Sequence, residues 1–374
     1  MGGTLVRMSL TPWQTFCLLF IFQLGTTIVF GFAGGAKQDA WLAALISTLI
    51  GCGVVWCIAK VYEQHPKHNW VAILKLTFGS WVGHLLAMLY ILALIYEAGR
   101  ILRDLGELMT TFLLPRTPIG FSMFLVLVLV VYAANAGIER MARLAEVSIW
   151  FIFIFLLLLL ALLLSSGVNN FGWLLPMATD WKHIAVTVFP LGLTTTFGET
   201  IVFAMMWTLT VGPKDFRRSA LFSSLAVGLV FILLDLIAVG TLGPQMFSRA
   251  LYPLLSTFQL IRVADFIDNL DPAVVSIFIT GGMFKVFAYA YAACAGIAAQ
   301  WHIRDHRAIV VPVGTMILLT AIYTAKSISS HIFVGLKWVP WVIELPLFVM
   351  LPIVVLAIGT VKKQLQSSQP GGKP

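Results

Sequence analysis

The run from Pro12 to Gly31, PWQTFCLLFIFQLGTTIVFG, decides the fold. Its first part is almost wholly apolar. Gly25-Thr26-Thr27-Ile28-Val29-Phe30-Gly31 then interrupts it with glycines and β-branched residues, which weaken a helix. An α-helix needs roughly 20 apolar residues to cross about 30 Å of hydrocarbon. A break inside such a helix exposes backbone groups at mid-membrane, where only protein or a polar cavity can satisfy them. The run therefore reads as a first membrane span with a break in it. The weakly charged residues before it and the lack of a small-residue cleavage site make it an expected span and not a removable signal.

Similar apolar stretches recur to the end of the chain, giving spans at roughly 12–31, 39–59, 80–113, 118–136, 142–165, 184–210, 219–243, 272–300, 308–326 and 339–360. Of the 374 residues, 60% are hydrophobic and 11% charged, too few charges to cover a soluble domain. The expectation is an all-α integral membrane protein with a single transmembrane domain of about ten helices. It divides into repeats at approximately 12–165 and 184–360, with no soluble domain attached and a disordered tail at approximately 364–374. Five crossings per half invert the second half relative to the first, a common transporter architecture.

Fourteen Lys and Arg fall on one side of these spans and seven on the other, which places both termini in the cytoplasm. The outer loops around 166–183 and 244–271 are the long ones. The net charge of +8 is then mostly a topology signal, and no nucleic-acid partner is expected. Cys17, Cys52, Cys57 and Cys294 all lie in spans without metal or redox spacing and read as packing residues. No serine–histidine or carboxylate pair forms a catalytic motif. Neither an enzyme, a cofactor nor a metal site is expected.

The sixth span repeats the interruption of the first, with Pro190, Gly192, Thr194, Thr195, Thr196 and Gly198. Matching breaks in two halves point to a substrate site, while close helix packing through Gly and Thr is the alternative. The candidate ligand-binding residues are Gly25, Thr26, Thr27 and Gly31 in the first span, and Thr194, Thr195, Thr196, Gly198 and Glu199 in the sixth. Charges deep in spans, which cost roughly 3 kcal/mol each, are the second signal: Glu97, Glu199, Asp235 and Lys285. Glu97, Arg100, Asp104 and Glu107 share one face of span three as a polar stripe. It is either a functional lining or a ladder pairing Arg100 with Asp104 and Arg103 with Glu107. Lys285 is the candidate internal cation of span eight, free to couple it to another span. A salt bridge to Asp235 or Glu199 is its alternative.

Several motifs resemble the bacterial spore germinant-receptor B-subunit family, the endospore germination permeases. They are Gly25 through Trp41, Leu114-Pro115-Arg116-Thr117-Pro118, Gly137-Ile138-Glu139-Arg140 with Arg143, and Phe197-Gly198-Glu199. Ala264-Asp265-Phe266-Ile267-Asp268 with Leu270-Asp271, Lys285, Leu351-Pro352 and Lys362-Lys363 continue the series in order. Asn269 departs from it, standing where a basic residue is expected. The resemblance implies the fold of the amino-acid, polyamine and organocation transporter superfamily, and with it a role for Lys285 in place of the sodium ion that ties span eight to the unwound carbonyls of span one in sodium-coupled members. It also implies a nutrient-sensing subunit in the spore inner membrane, working with a larger membrane A subunit and a lipoprotein C subunit. The ligand would be a small nutrient such as an amino acid. A transporter of the same fold and a ligand-gated ion or water pathway are the other readings.

Overall fold

The computed structural model of the chain describes residues 10–261 and 271–367. Nine helices among the described residues are long and apolar enough to cross a membrane. They are α1 (Pro12–Phe30), α2 (Ala33–Gln64), α3 (Ser80–Leu113), α4 (Ile119–Ala136) and α5 (Ile138–Ser165), then α7 (Pro213–Leu242), α8 (Asp271–Trp301), α9 (His306–Tyr323) and α10 (Pro340–Leu365). The composite α6 is assembled from short pieces, Trp181–Thr187, Val188–Gly192, Gly198–Met205 and Trp207–Leu209. It crosses nonetheless. Before it, the Ala178 N–H donates to the Asp39 carboxylate at the start of α2 (2.7 Å), and at its end the Trp207 indole N–H donates to the His68 carbonyl beyond the far end of α2 (2.8 Å). The regular part of α2 has 25 residues, about 37 Å at 1.5 Å per residue, so α6 covers the full hydrocarbon depth.

Ten crossings result among the described residues, five up to α5 and five from α6, and the odd number reverses the second set. Local signals set the ends. Thr11 caps α1 in a reciprocal pair with Gln14, Pro12 takes the first helical turn, and Pro213 does the same for α7. The last helix starts well before its expected boundary: Ile328–Phe333 and Val334–Trp338 run without a break into α10. Pro340 and Pro346 each remove a backbone donor, and this stretch is wound partly in π register. At the other end the helix continues to Ser367, through the first residues of the expected disordered tail. The rest of that tail, and Ala264 to Leu270 of the motif series, lie outside the described residues.

The core is uneven. In α1 and α8, 72% of the most apolar window is buried inside the protein, against 28% in α5, α9 and α10. The outer helices turn residues such as Phe153, Leu157 and Leu158 outward, a surface suited to lipid tails. α1, α3, α6 and α8 form the interior, and the polar residues collect there.

Candidate functional site

α1 ends its first helix at Leu24 and restarts as a single turn, Thr27–Phe30. Gly25 sits at φ 25°, ψ −128°, and an added Cβ would stand 2.7 Å from both the Lys285 side chain and the Phe22 carbonyl oxygen. No other residue fits there. α8 approaches equally closely, since a Cβ on Gly281 would lie 3.1 Å from the Gly25 carbonyl oxygen. One turn further along α8, the Lys285 stem lies against Gly25 and its ammonium is 5.8 Å from the Phe22 ring centre.

α6 breaks in two steps, with Phe189 extended and Thr195 to Phe197 in a turn before the tighter helix at Gly198. Its exposed backbone is met from neighbouring helices, as mid-membrane burial demands. The Tyr90 hydroxyl of α3 donates to the Ile201 carbonyl (3.0 Å), and the Lys285 ammonium donates to the Thr195 carbonyl (3.4 Å). Lys285 also forms an ion pair with Glu199 at 2.5 Å, both almost fully buried. The Gln23 amide of α1 donates to Thr200 (2.8 Å) and to Ser224 of α7 (2.9 Å). The two breaks meet where the Thr196 hydroxyl donates to that of Thr27 (3.3 Å).

α10 adds a carboxylate. Glu344 accepts from the Thr194 hydroxyl (2.5 Å) and from that of Thr195 (3.2 Å). From α3, Glu97 lies 3.9 Å from the Arg100 guanidinium, and Arg100 donates to the His331 carbonyl (3.3 Å). The His331 imidazole pairs with Asp104 at 2.7 Å. Gly335 makes room for this arrangement, because a Cβ there would collide with the Arg100 guanidinium. These groups border a cavity of about 80 Å³. One oxygen from each of Glu97, Glu199 and Glu344 lies within 4.8 Å of the other two, so a cation of suitable size could be held among them.

Of the residues singled out in the sequence, Thr26, Thr27, Thr195, Glu199, Lys285, Glu97, Arg100 and Asp104 line this cavity. Gly25, Thr194, Thr196 and Gly198 shape it without lining it, and Gly31 borders a separate depression on the surface. Glu107 is turned elsewhere, paired with Arg103 at 2.7 Å. Arg100 meets Glu97 and the His331 carbonyl, leaving Asp104 to the imidazole. Lys285 reaches α6 through hydrogen bond and ion pair, and meets α1 with its stem at Gly25 and its ammonium over the Phe22 ring rather than through an unwound carbonyl. Asp235 is buried on α7 and takes no part in the pair.

Glu344, His331 and Tyr90 are absent from the sequence reading. The depth rule that flagged Glu199 could have found Glu344, had the helix been started at Ile328. From Pro340, Glu344 lies only one turn in and passes for an interfacial residue.

Comparison with known proteins follows this geometry. A family model described as "Spore germination protein" matches residues 9–329. Spore germination protein KB of Bacillus subtilis (strain 168) is 30% identical over 359 residues, 96% of each chain. Putative spore germination protein YfkT of the same organism is 20% identical over 328 residues, 86% of this chain and 87% of the other. Among solved structures, the transporter Mhp1 of the nucleobase-cation-symport-1 family superposes with a TM-score of 0.65 at 12% identity, covering 88% of this chain and 75% of that one. MhsT in complex with L-phenylalanine gives 0.66 at 13% identity, covering 92% and 88%. At such identities the likeness is one of fold.

Proposed function

The chain belongs to the spore germination protein family, a multi-pass membrane protein with a transporter fold, and from that premise we propose that it is the nutrient-sensing subunit of a spore germinant receptor. In this reading it sits in the spore inner membrane and binds a small ligand, such as an amino acid, between α1 and α6. It passes the change to an A subunit and a lipoprotein C subunit. One observation carries the site: the cavity is bordered by both breaks at once, through Thr26 and Thr27 of α1 and Thr195 and Glu199 of α6.

Cavity size supports a sensing role. About 80 Å³ is roughly half the volume of a cavity of about 150 Å³ that takes up benzene. A whole amino acid therefore requires the breaks or α10 to move. A ligand that fits one arrangement and not the other has the differential affinity that shifts a conformational equilibrium. Lys285 tethers α8 to α6 in the present arrangement and is the residue through which such a shift would reach α8.

The second reading is transport, favoured by the likeness to Mhp1 and MhsT. Purified chain in liposomes separates the two. Saturable binding of labelled nutrient without accumulation is the expected result for a receptor subunit. Concentrative uptake without partner subunits would replace the receptor reading with a transporter.

A further inference from the structure

The carboxylate lining of the cavity is short of positive charge. Glu97, Glu199 and Glu344 come from three helices and are 4%, 2% and 3% exposed. Against them stand Lys285, held to Glu199 at 2.5 Å, and Arg100, at 3.9 Å from Glu97. Asp104 adds a fourth carboxylate on the same cavity wall, paired with His331. Glu344 has hydroxyl partners, Thr194 and Thr195. Like charges so close and so dry are relieved only by a further counter-charge or a proton.

Unmet hydrogen bonding points the same way. Glu97 Oε1 and Arg100 Nη1 have no hydrogen-bond partner among the described residues, although Arg100 is only 7% exposed and both residues line the cavity. A buried donor and acceptor left open on one wall are costly unless something comes to meet them.

Geometry selects the chemistry. Three oxygens no more than 4.8 Å apart leave a point within about 2.8 Å of all of them. At that ceiling an ammonium-to-carboxylate hydrogen bond, about 2.7–2.9 Å, reaches all three oxygens, and three oxygens are fewer than the roughly six to eight that Ca²⁺ takes or the octahedron that Mg²⁺ demands. A primary ammonium also brings three N–H donors, one for each carboxylate. Methylammonium has two non-hydrogen atoms and fits about 80 Å³.

We propose that the Glu97–Glu199–Glu344 triad receives the primary ammonium group of the ligand, with Arg100 Nη1 taking an oxygen of the same molecule. This rests on the nutrient-binding reading above and narrows it to amine-bearing nutrients. Because Lys285 already engages Glu199, the incoming charge is drawn mainly by Glu97 and Glu344.

The test uses the full chain in detergent, methylammonium chloride as the probe and thermal unfolding as the readout, since a bound ligand raises the midpoint by mass action. The expected result is a saturable rise with methylammonium that equal concentrations of tetramethylammonium, sodium or potassium chloride do not give. Glu97→Gln and Glu344→Gln should weaken the apparent affinity roughly tenfold or more, the loss of one charged hydrogen bond. Selectivity among cations is read on the unaltered chain, so a variant that fails to fold does not blunt the test. Equal stabilisation by an alkali chloride, or by lowered pH with methylammonium adding nothing, overturns the proposal. Saturable binding of a sugar or an amine-free carboxylate, with no response to methylammonium, removes the amine assignment and leaves the receptor reading standing. Absence of binding by every class of nutrient removes that reading as well.

Discussion

The Lys285–Glu199 pair gives the sharpest test of how the interior is held. Lys285→Met removes the ammonium but keeps much of the stem that packs against Gly25. It leaves Glu199 with no cation at 2.5 Å and Glu97 and Glu344 close by. Breaking a buried pair from one side costs about 3–5 kcal/mol, and the crowding of carboxylates puts this case at the upper end. Glu199→Gln is a milder change: the amide keeps the shape, and Lys285 retains Glu97 and Glu344 as nearby negative charges. Its cost should be about 1–2 kcal/mol, close to that of a single hydrogen bond to a charged group.

The double variant leaves neither charge stranded at that position, so it should be more stable than Lys285→Met alone. A coupling energy of about 2–3 kcal/mol follows, well above the roughly 0.5 kcal/mol within which independent sites add. Thermal unfolding of the purified chain in one detergent measures it, with Lys285→Met expected to lower the midpoint by roughly 5–10 °C. Additivity of the two changes, or a greater loss from Glu199→Gln than from Lys285→Met, would refute the account of Lys285 and Glu199 as a coupled buried pair.

Three further outcomes are expected. For topology, Gln245→Cys, exposed on the short helix Pro244–Arg249 after α7, should react with a membrane-impermeant thiol reagent on intact cells; Ser256, on the following short helix Pro253–Phe258, is half-buried and a poorer probe. Protection there, with labelling on inverted vesicles, would reverse the assigned orientation. Gly335→Ala should push the Arg100 guanidinium off α10, costing about 1–3 kcal/mol as overpacking and weakening ligand binding; normal stability and binding would show that the contact is slack. In the loop after α2, burial first, then His68 and Lys362, hold the His65 imidazole below its ordinary 6.5. The unfolded chain therefore takes up the proton first, and stability is lost as pH falls below 6.5 towards the lower folded value. A His65→Gln variant should lose less stability than the parent over that fall, and equal losses would exclude His65 as a source.

The spans were legible in the sequence because a lipid-facing helix has one overriding demand, apolar length, and this chain meets it repeatedly. The breaks were legible because glycine and threonine weaken a helix locally, so Gly25 and the Thr194–Thr196 run mark themselves without any knowledge of neighbours. Partnering was not legible in the same way. Arg100 has Asp104 one turn away on its own helix, and only the packing of α10 shows that the imidazole of His331 claims Asp104 while the guanidinium turns to Glu97 and a backbone carbonyl. Lys285 likewise had Asp235 and Glu199 as possible partners by depth, and the choice is made by the turn at Thr195 to Phe197 that swings Glu199 towards α8.

Glu344 shows where the physical rule was sound and its input was not. Proline marks helix starts well when the chain before it is a loop, and Pro340 follows the basic and polar stretch around Lys326 and Lys337 that suggested an outer loop. Here the helix begins at Ile328, capped by Ser327, and carries His331, Gly335 and Lys337 before it reaches that proline. Counted from Ile328, Glu344 lies more than four turns inside, as deep as Glu97 counted from Ser80 in α3, and under the same demand for a partner. Depth has to be counted from the cap, where the backbone turns helical, because the burial of a charge follows the helix that carries it and not the edge of its apolar window.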